Sequence, residues 1–278
     1  MPVAPTARAA EFLEQIGGSA RRQLDAGDVA VIVAHPDDET IGCGALLARL
    51  TGVRVIVITD GAPRNLQDAK CYGFATAAEY AAARSDELRD ALGIAHLKPD
   101  CITQFGVPDQ QAAYRIPQII SRVATLFREL GIRIALTHAY EGGHPDHDAT
   151  AFSVHRAAGR RPPNTCIVEM PFYRAEGSGD VRQSFTPIAG HQAITIELTP
   201  DERELKQQMT AAHATQKNVL AGFPLQREQF RIAPDYDFSR PPNNGDVLYD
   251  RENWGIDSKR WLESARTALA EEHSAACA

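Results

Sequence analysis

The sequence predicts an α/β fold whose mainly parallel sheet is covered by helices on both faces. Short apolar runs rich in β-branched residues, at 29–34, 53–59 and 132–138, have the composition of strands buried on both sides. Between them lie helical patterns, of which the clearest, at 116–130, places its apolar side chains on one face at 3.6-residue spacing. Strands that alternate with helices of this length form βαβ units with right-handed crossovers, which predicts a parallel sheet.

The first half of the chain supplies the other elements of this alternation. Residues 7–24 are predicted to form a polar helix, and residues 64–76 a loop. A helix is predicted from 77 to 92, with Gly93 as the glycine that ends it. Residues 102–107 are predicted to form a short strand.

The second half continues the pattern and then loses it. Strands are predicted at 165–170 and 192–196. Residues 199–202, Thr-Pro-Asp-Glu, predict a helix start with threonine as the N-cap, proline first and glutamate third. After residue 222 no regular pattern returns until a last predicted helix at 258–272.

We therefore predict two parts in the chain. Residues 1–222 form the core domain, and residues 223–278 form an irregular C-terminal extension. Long irregular segments inside compact proteins are usually binding loops or interfaces. The extension is expected to pack on the core or to lie at an oligomer interface, so a homo-oligomer is one possible state.

Composition limits the kind of partner that the protein has. Its 278 residues are 44% hydrophobic, which is enough for one large core. A formal net charge of −7 argues against binding to nucleic acid or an anionic membrane, and favours a small-molecule partner. The apolar runs are far shorter than the roughly 20 residues of a membrane span. Residues 1–28 lack the apolar region of a secretory signal, and the five scattered cysteines are typical of reduced thiols, so we expect a cytoplasmic protein.

A first cluster of ionisable side chains follows the predicted strand at 29–34. Residues 35–39 are His-Pro-Asp-Asp-Glu, and their acids fall in the first turn of the next helix. Ordinary helix capping is one explanation for these acids. A dinucleotide site is another, because Gly42-Cys43-Gly44 begins a Gly-x-Gly pattern, but the position of the third glycine is Leu47.

A second cluster makes a ligand site the better explanation. After the predicted strand at 132–138, residues 144–147 are His-Pro-Asp-His, so that a His-Pro-Asp turn again follows a strand. In open α/β sheets, ligands bind at this end of the strands. Imidazole and carboxylate groups suit Zn²⁺, although iron or cobalt can occupy the same kind of site. A neighbouring carboxylate can take a proton from water that the metal binds.

The two motifs together resemble those of the PIG-L/LmbE-like deacetylases. That family contains zinc-dependent enzymes that remove acyl groups from N-acetylglucosamine-type amides. The resemblance rests on Ala34-His35-Pro36-Asp37-Asp38-Glu39 and on His144-Pro145-Asp146-His147, in the same order and in the same strand-to-turn setting. It implies a Rossmann-like architecture with three αβα layers, which agrees with the strand and helix pattern through about residue 215.

The resemblance also implies a role for each residue of the two motifs. The implied metal ligands are His35, Asp38 and His147. Asp37 is implied as the general base that deprotonates the metal-bound water. His144 is implied to stabilise the oxyanion and to help the amine leave, with Asp146 as its orienting partner. Spacing alone leaves open which of Asp37 and Asp38 binds the metal.

Substrate contacts are implied for two further residues. Arg84 and Asp109 resemble an arginine and an aspartate that bind sugar hydroxyls in family members. Some relatives carry a tyrosine two residues before the catalytic histidine, but this position is Gly142, and the nearest tyrosine is Tyr140. Whether Tyr140 takes part in catalysis is therefore left open.

Three other side chains each have two interpretations. His138 either supports a metal ligand or closes its strand as a polar residue. His213 has a core or surface role, or belongs to the site. Trp254 either stacks on a sugar ring or packs over the main domain.

Taken together, the sequence predicts a cytoplasmic zinc-dependent amide hydrolase. Its expected substrate is a small N-acetylated amino sugar or glycoconjugate, from which it removes an acetyl group. An amidase acting on a thiol conjugate or another non-sugar amide would use the same residues. A metal-binding or nucleotide-binding module without turnover is the alternative from another class, although it would have no need of Asp37 and His144.

Overall fold

The computed structural model describes residues 5–159, 165–252 and 254–276 and arranges them around a seven-stranded sheet. The helices are α1 (Pro5–Gly17), α2 (Asp38–Leu47), α3 (Gln67–Cys71), α4 (Ala77–Ile94), α5 (Ile116–Glu129), α6 (Pro145–Ala158), α7 (Pro200–Ala212), α8 (Lys217–Leu220) and α9 (Ser258–Ala276). The strands are β1 (Leu24–Asp25), β2 (Val29–Val33), β3 (Leu50–Thr51), β4 (Arg54–Thr59), β5 (Ile102–Val107), β6 (Ile134–His138), β7 (Cys166–Met170), β8 (Tyr173–Glu176), β9 (Gly179–Arg182), β10 (Ile194–Glu197) and β11 (Arg227–Ile232).

The strand order of the large sheet is β10-β11-β7-β6-β2-β4-β5. The five strands from β5 to β7 are parallel, whereas β11 pairs antiparallel with both β7 and β10. In the parallel part the chain starts at β2 and continues through β4 to β5 at one edge. It then returns to the other side of β2 and continues through β6 to β7. This is the Rossmann order, and its switch point lies between β2 and β6. The prediction of a Rossmann-like, mainly parallel sheet is confirmed.

Helices cover both faces of the sheet because successive side chains of each buried strand point to opposite sides. In β2, Val29, Val31 and Val33 pack with α1, α4 and α7 in one core. Ala30 and Ile32 pack with α5, α6 and α9 in the other core. Since both faces are buried, the strand reads as a continuous apolar run and shows no alternation. The result is the predicted arrangement of three αβα layers.

Several predicted boundaries agree with the structure, and one does not. Thr199 accepts a hydrogen bond from the Glu202 N–H at 3.2 Å, so the predicted capping box at the start of α7 is confirmed. Gly131 has a φ of +65° just after α5, as expected for a glycine that ends a helix. The prediction that Gly93 ends α4 is wrong, because the helix continues to Ile94 and the left-handed residue is His96.

The segment beyond residue 222 is less irregular than predicted. Residues 227–232 form β11, which lies between β10 and β7 in the large sheet. The strand escaped prediction because two of its buried positions carry the charged residues Glu228 and Arg231. Their partners, Lys206 and Glu169, are distant in sequence. The division of the chain at residue 222 stays a prediction. The predicted C-terminal part, residues 223–278, contains β11, which is a strand of the main sheet.

Short regular elements also occur in one predicted loop and in one segment for which no element was predicted. Residues 64–76 include the short helix α3, and the segment after β7 forms the antiparallel hairpin β8–β9. Cys43, Cys71, Cys101 and Cys166 are free thiols, and Cys277 lies outside the described residues. Within the described ranges, no helix has the length and apolar character needed to cross a membrane. The cytoplasmic location and the homo-oligomer stay predictions.

A buried ion pair stabilises a break in α2. The helical dihedrals are interrupted at Cys43, where φ is −151°. Lys206 Nζ donates to the Ile41 carbonyl at 2.8 Å and to Glu228 Oε1 at 2.9 Å. Glu228 in turn accepts from the N–H groups that begin the second half of the helix, Ala45 and Leu46, at 2.8 and 3.1 Å. The cation thus lies at a helix carboxyl end and the anion at an amino end, where the backbone dipoles favour them.

We expect Glu228→Ala to lower the free energy of unfolding by about 3 kcal/mol or more, because it leaves the Lys206 ammonium buried without its partner. Urea denaturation measures this change. Asp86→Ala is the matched control, since it breaks the exposed Asp86–Arg89 pair and should change stability by less than about 1 kcal/mol. Equal effects of the two substitutions would contradict the role of the buried pair.

Candidate active site

The two His-Pro-Asp turns lie side by side at the switch point of the sheet. Strands β2 and β6 pair in parallel through Val29–Ile134 and Val31–Leu136, so their carboxyl ends open at the same edge. A cavity of about 250 Å³ lies there. Seven of the eight predicted site residues line it: His35, Asp37, Asp38, Arg84, Asp109, His144 and His147. A larger cavity of about 570 Å³ beside Arg54 contains none of them.

The three predicted metal ligands converge on one another. His35 Nδ1 lies 3.2 Å from Asp38 Oδ2 and 3.2 Å from His147 Nε2, and His147 Nε2 lies 3.3 Å from Asp38 Oδ1. Tetrahedral zinc with bonds of about 2.0–2.1 Å separates its ligand atoms by roughly 3.3 Å. The donor set of two imidazoles and one carboxylate therefore fits a metal of this kind.

Other groupings of the same side chains fit less well. Ligand atoms within 4.8 Å of one another also occur in the sets His35/His144/His147, His35/Asp109/His144/Asp146 and Asp38/His138/His147. In the last set, His138 Nε2 accepts a hydrogen bond from the Ala34 N–H at 2.8 Å, which occupies its lone pair. The His138 ring stacks on His147 at a centroid distance of 4.0 Å. Its position supports a ligand side chain from behind.

His35 uses its two nitrogens for different partners. While Nδ1 faces Asp38 and His147, Nε2 lies 3.1 Å from Asp109 Oδ1 and 3.5 Å from Asp146 Oδ2. Metal-binding histidines commonly donate their second N–H to a carboxylate in this way, which fixes the ring and its tautomer. Burial alone lowers the pKa of His35, but the carboxylates of Asp109, Asp146 and Asp38 together raise that pKa well above the usual value. Asp109, predicted to bind substrate, thus contacts His35, a predicted metal ligand.

The charge of Asp38 is stabilised by the imidazoles around it. Burial raises its pKa, but His147 and His138 hold that pKa well below the usual value. A carboxylate that stays ionised out of water is a good metal ligand.

Asp37 points to a different partner from its neighbour. Its Oδ2 accepts from Arg84 Nη2 at 2.8 Å, and the same guanidinium donates to the Pro36 and Gly61 carbonyls. Burial raises the pKa of Asp37 to about 7, although Arg84 opposes the change. Arg84, predicted to bind a sugar hydroxyl, is only 4% exposed and is engaged with this acid.

The backbone of Asp37 is strained, and buried polar groups hold it. Its φ of 129° lies where residues other than glycine are rare. The Asp37 N–H donates to Glu39 Oε2 at 3.1 Å, and Thr40 Oγ1 donates to Glu39 Oε1 at 2.7 Å. His213 Nε2 lies 3.5 Å from that same Glu39 oxygen. Glu39 and His213 therefore support the site. The sequence assigned no role to Glu39 and left His213 between a core or surface role and a place in the site, since a capping glutamate and a lone histidine give no specific signal.

His144 is linked to Asp146 through the main chain. Its Nδ1 accepts from the Asp146 N–H at 3.2 Å, which assigns the proton of the neutral ring to Nε2. The Asp146 carboxylate instead accepts from the N–H groups of Gln110 and Ala112, at 2.6 and 2.9 Å. Burial lowers the pKa of His144 and raises that of Asp146.

Aromatic side chains complete the cavity, but Tyr140 is not one of those that line it. The Tyr140 hydroxyl donates to the Arg240 carbonyl at 3.0 Å, and its ring packs against Phe238. Tyr173 lines the cavity instead, with its ring centroid 5.3 Å from that of His147. Trp254 lies on the other side, 4.8 Å from the His144 ring. The sequence named Trp254 with two interpretations, stacking on a sugar ring or packing over the main domain, and the structure places it at the cavity. The sequence did not indicate Tyr173, because it belongs to a segment without a predicted pattern.

Comparison with known proteins relates the chain to one family. The family model described as "PIG-L: GlcNAc-PI de-N-acetylase" matches residues 30–158. A 1D-myo-inositol 2-acetamido-2-deoxy-alpha-D-glucopyranoside deacetylase 1 of Saccharopolyspora erythraea is 28% identical over 218 residues, which cover 63% of this chain and 66% of the relative. A probable N-acetyl-alpha-D-glucosaminyl L-malate deacetylase 2 of Bacillus cereus is 24% identical over 73% of this chain and 96% of its own. An uncharacterised mimivirus protein is 30% identical, and the chain spans about half of its length, 53%.

Solved structures show the same fold at low sequence identity. The zinc-inhibited form of teicoplanin deacetylase Orf2 superposes with a TM-score of 0.57 at 14% identity, covering 75% of this chain and 99% of that one. The N,N'-diacetylchitobiose deacetylase of Pyrococcus horikoshii superposes with a TM-score of 0.55 at 20% identity, covering 84% and 94%.

We expect Asp109→Ala to weaken metal binding by about 10- to 100-fold, because His35 loses the carboxylate that orients its ring. Competition with a chelator measures the dissociation constant. Asp68→Ala is the control, since it removes an exposed carboxylate from the same cavity. No hydrogen bond between Asp68 and His35 occurs among the described residues. If both substitutions weaken binding equally, the effect comes from general charge and not from the Asp109–His35 contact.

Proposed function

Because the chain carries a PIG-L family domain at residues 30–158, we propose that it is a metal-dependent hydrolase that removes the acetyl group from an N-acetylglucosamine-type substrate. The observation that carries this proposal is the position of Asp37 beside the three convergent side chains of His35, Asp38 and His147, in one cavity. A site that only bound a metal would not need a second, separately paired carboxylate there. The named relatives that act on acetamido sugars support the choice of substrate class.

We propose Zn²⁺ as the metal, held by His35, Asp38 and His147. When bound, such an ion polarises a carbonyl group and lowers the pKa of water to about 7, which makes water a nucleophile. Iron and cobalt suit the same donor set. A solved structural neighbour is described as zinc-inhibited, so the identity of the metal has to be tested and not assumed.

Asp37 is the proposed general base. Arg84 occupies its Oδ2, which leaves Oδ1 to take the proton from the attacking water. A pKa of about 7 suits a group that must accept a proton and release it again near neutral pH. The strained backbone and the Glu39 hydrogen bond fix the main chain of Asp37. Its carboxylate therefore lies next to Asp38 in sequence but contacts Arg84 and not the imidazoles.

His144 is the proposed stabiliser of the oxyanion and proton donor to the leaving amine. Its Nδ1 is occupied by the Asp146 N–H, so Nε2 is the atom that can donate into the cavity. Arg84 and Asp109 act, in this proposal, through Asp37 and His35, because these are the side chains that they contact. Gln110 and Asp68 line the same cavity and are the proposed partners of sugar hydroxyls.

Acetate release tests the proposed reaction. We expect the purified protein, with its metal content determined beforehand, to release acetate from at least one member of a panel of N-acetylglucosamine, chitobiose and GlcNAc-inositol or GlcNAc-malate conjugates. A chelator should abolish release, and Zn²⁺, Fe²⁺ or Co²⁺ should restore it. Metal bound at one equivalent without release from any sugar, but with release from a thiol-conjugate amide, would contradict the substrate class.

Two substitutions separate the proposed roles of neighbouring residues. We expect Asp37→Asn to keep the bound metal and to lower kcat by at least 100-fold, because the base is lost. We expect His147→Ala to lose the metal itself, because only two ligands remain. Metal analysis and acetate release on the same samples give both readouts. Equal metal content together with equal activity in the two variants would contradict the assignment.

A further inference from the structure

The catalytic cavity has an apolar wall that the proposed chemistry does not use. This apolar wall consists of Tyr173, Val219, Leu220 and Phe223. It begins at the metal site, since the Tyr173 ring lies 5.3 Å from that of His147. It continues outward to Phe223, whose ring lies 6.1 Å from that of Tyr173. Leu220 and Phe223 are buried, and both belong to the same core cluster as the sheet.

The outer end of the apolar wall is exposed. Val219 is 53% exposed, and among the described residues only Tyr114, at 50%, is a comparably exposed large apolar side chain. Val219 borders the catalytic cavity, whereas Tyr114 borders a separate surface cavity next to Pro117. Exposed apolar side chains at a binding cleft commonly contact an apolar part of a ligand.

The apolar wall is held in place by hydrogen bonds to α4. Thr215 donates through its N–H and its hydroxyl to Glu87, at 2.9 and 2.7 Å. Gln216 Nε2 donates to the buried Tyr80 hydroxyl at 2.5 Å. These contacts fix the start of α8 and hence the position of Val219. The surface is therefore preformed, which lowers the entropic cost of binding a ligand against it.

The polar groups lie elsewhere around the cavity. Asp68, Asp109 and Gln110 come from the loops after β4 and β5, and the histidines and Asp38 from the ends of β2 and β6. The exception is Gln216, which lies beside the apolar wall, but its Nε2 is occupied by the Tyr80 hydroxyl and the Thr215 carbonyl. A bare amino sugar would place hydroxyl groups against Val219, Leu220 and Phe223, whose side chains offer them no hydrogen-bond partner; within the apolar wall only the Tyr173 hydroxyl could do so. An aryl or alkyl group would instead bury apolar area there.

From this arrangement we propose that the enzyme's substrate is an N-acetylglucosamine-type amide that carries an aryl or alkyl group, which packs on the apolar wall. The proposal rests on the proposed deacetylase function. The apolar group is either an aglycone on the sugar or a longer N-acyl chain, and the chemistry that recognises it is the same.

The test compares three substrates with the metal-loaded protein: N-acetylglucosamine, its phenyl glycoside and N-hexanoyl-glucosamine. We expect kcat/KM for the phenyl glycoside or for the hexanoyl amide to exceed that of N-acetylglucosamine at least tenfold, mainly through KM. A tenfold preference corresponds to about 1.4 kcal/mol, or roughly 55 Å² of buried apolar surface. The substrate that shows the preference identifies the apolar group as the aglycone or the acyl chain. Equal kcat/KM for all three would overturn the proposal.

Variants locate the preference within the chain. The preference is the ratio of kcat/KM for the better apolar substrate to kcat/KM for N-acetylglucosamine. We expect Val219→Asn to reduce this ratio at least threefold, because it places a polar amide at the exposed end of the apolar wall. Tyr114→Asn is the matched control, since it changes a similarly exposed apolar side chain away from the cavity and should leave the ratio unchanged. A preference that Val219→Asn does not change would overturn the assignment to the apolar wall.

A binding measurement separates this proposal from the proposed function. Calorimetry gives the Kd of two amines, glucosamine and its phenyl glycoside, without requiring turnover. Tighter binding of the phenyl compound with no turnover of any amide would support the apolar wall and overturn the deacetylase function. Turnover of N-acetylglucosamine with equal Kd values and equal kcat/KM would support the function and overturn the apolar wall.

Discussion

The arrangement of the cavity depends on charge balance among carboxylates that lie out of water. A buried carboxylate is costly unless a cation or a hydrogen-bond donor compensates it. Three buried acids of the site have such a partner: Asp37 has Arg84, Asp38 has the imidazoles, and Asp109 has His35. These pairings fix the side chains before any ligand binds. The convergence of His35, Asp38 and His147, the proposed metal ligands, is therefore part of the folded structure.

The strained backbone at Asp37 allows two consecutive acids to serve different partners. A φ of 129° costs on the order of 1–3 kcal/mol and persists only where the surroundings enforce it. Here Glu39 holds the Asp37 N–H, and Arg84 holds both its carboxylate and the preceding carbonyl. As a result Asp38 turns to the imidazoles while Asp37 faces the guanidinium. The geometry thus gives the two acids different partners, which supports the separate ligand and base roles proposed for them.

Different parts of the chain build the floor and the walls of the cavity. The floor comes from residues 35–147, which fall within the segment that matches the family model. The walls come from the segment after β7, from α8 and its following turn, and from Trp254. This division is typical of Rossmann-like folds, in which the sheet positions the chemistry and the surrounding segments determine what can bind.

Sequence by itself determined the parallel sheet, its layers and the two motifs, because those features depend on local pattern. A strand buried on both faces is a continuous apolar run, and a turn rich in histidine and aspartate is recognisable wherever it occurs. Tertiary structure alone decided the rest. Strand β11 is invisible in the pattern because Glu228 and Arg231 occupy buried positions and are stabilised by Lys206 and Glu169. Tyr173 and Trp254 reach the cavity, and His213 reaches Glu39, only through folding, since contacts between residues far apart in the chain leave no local signal.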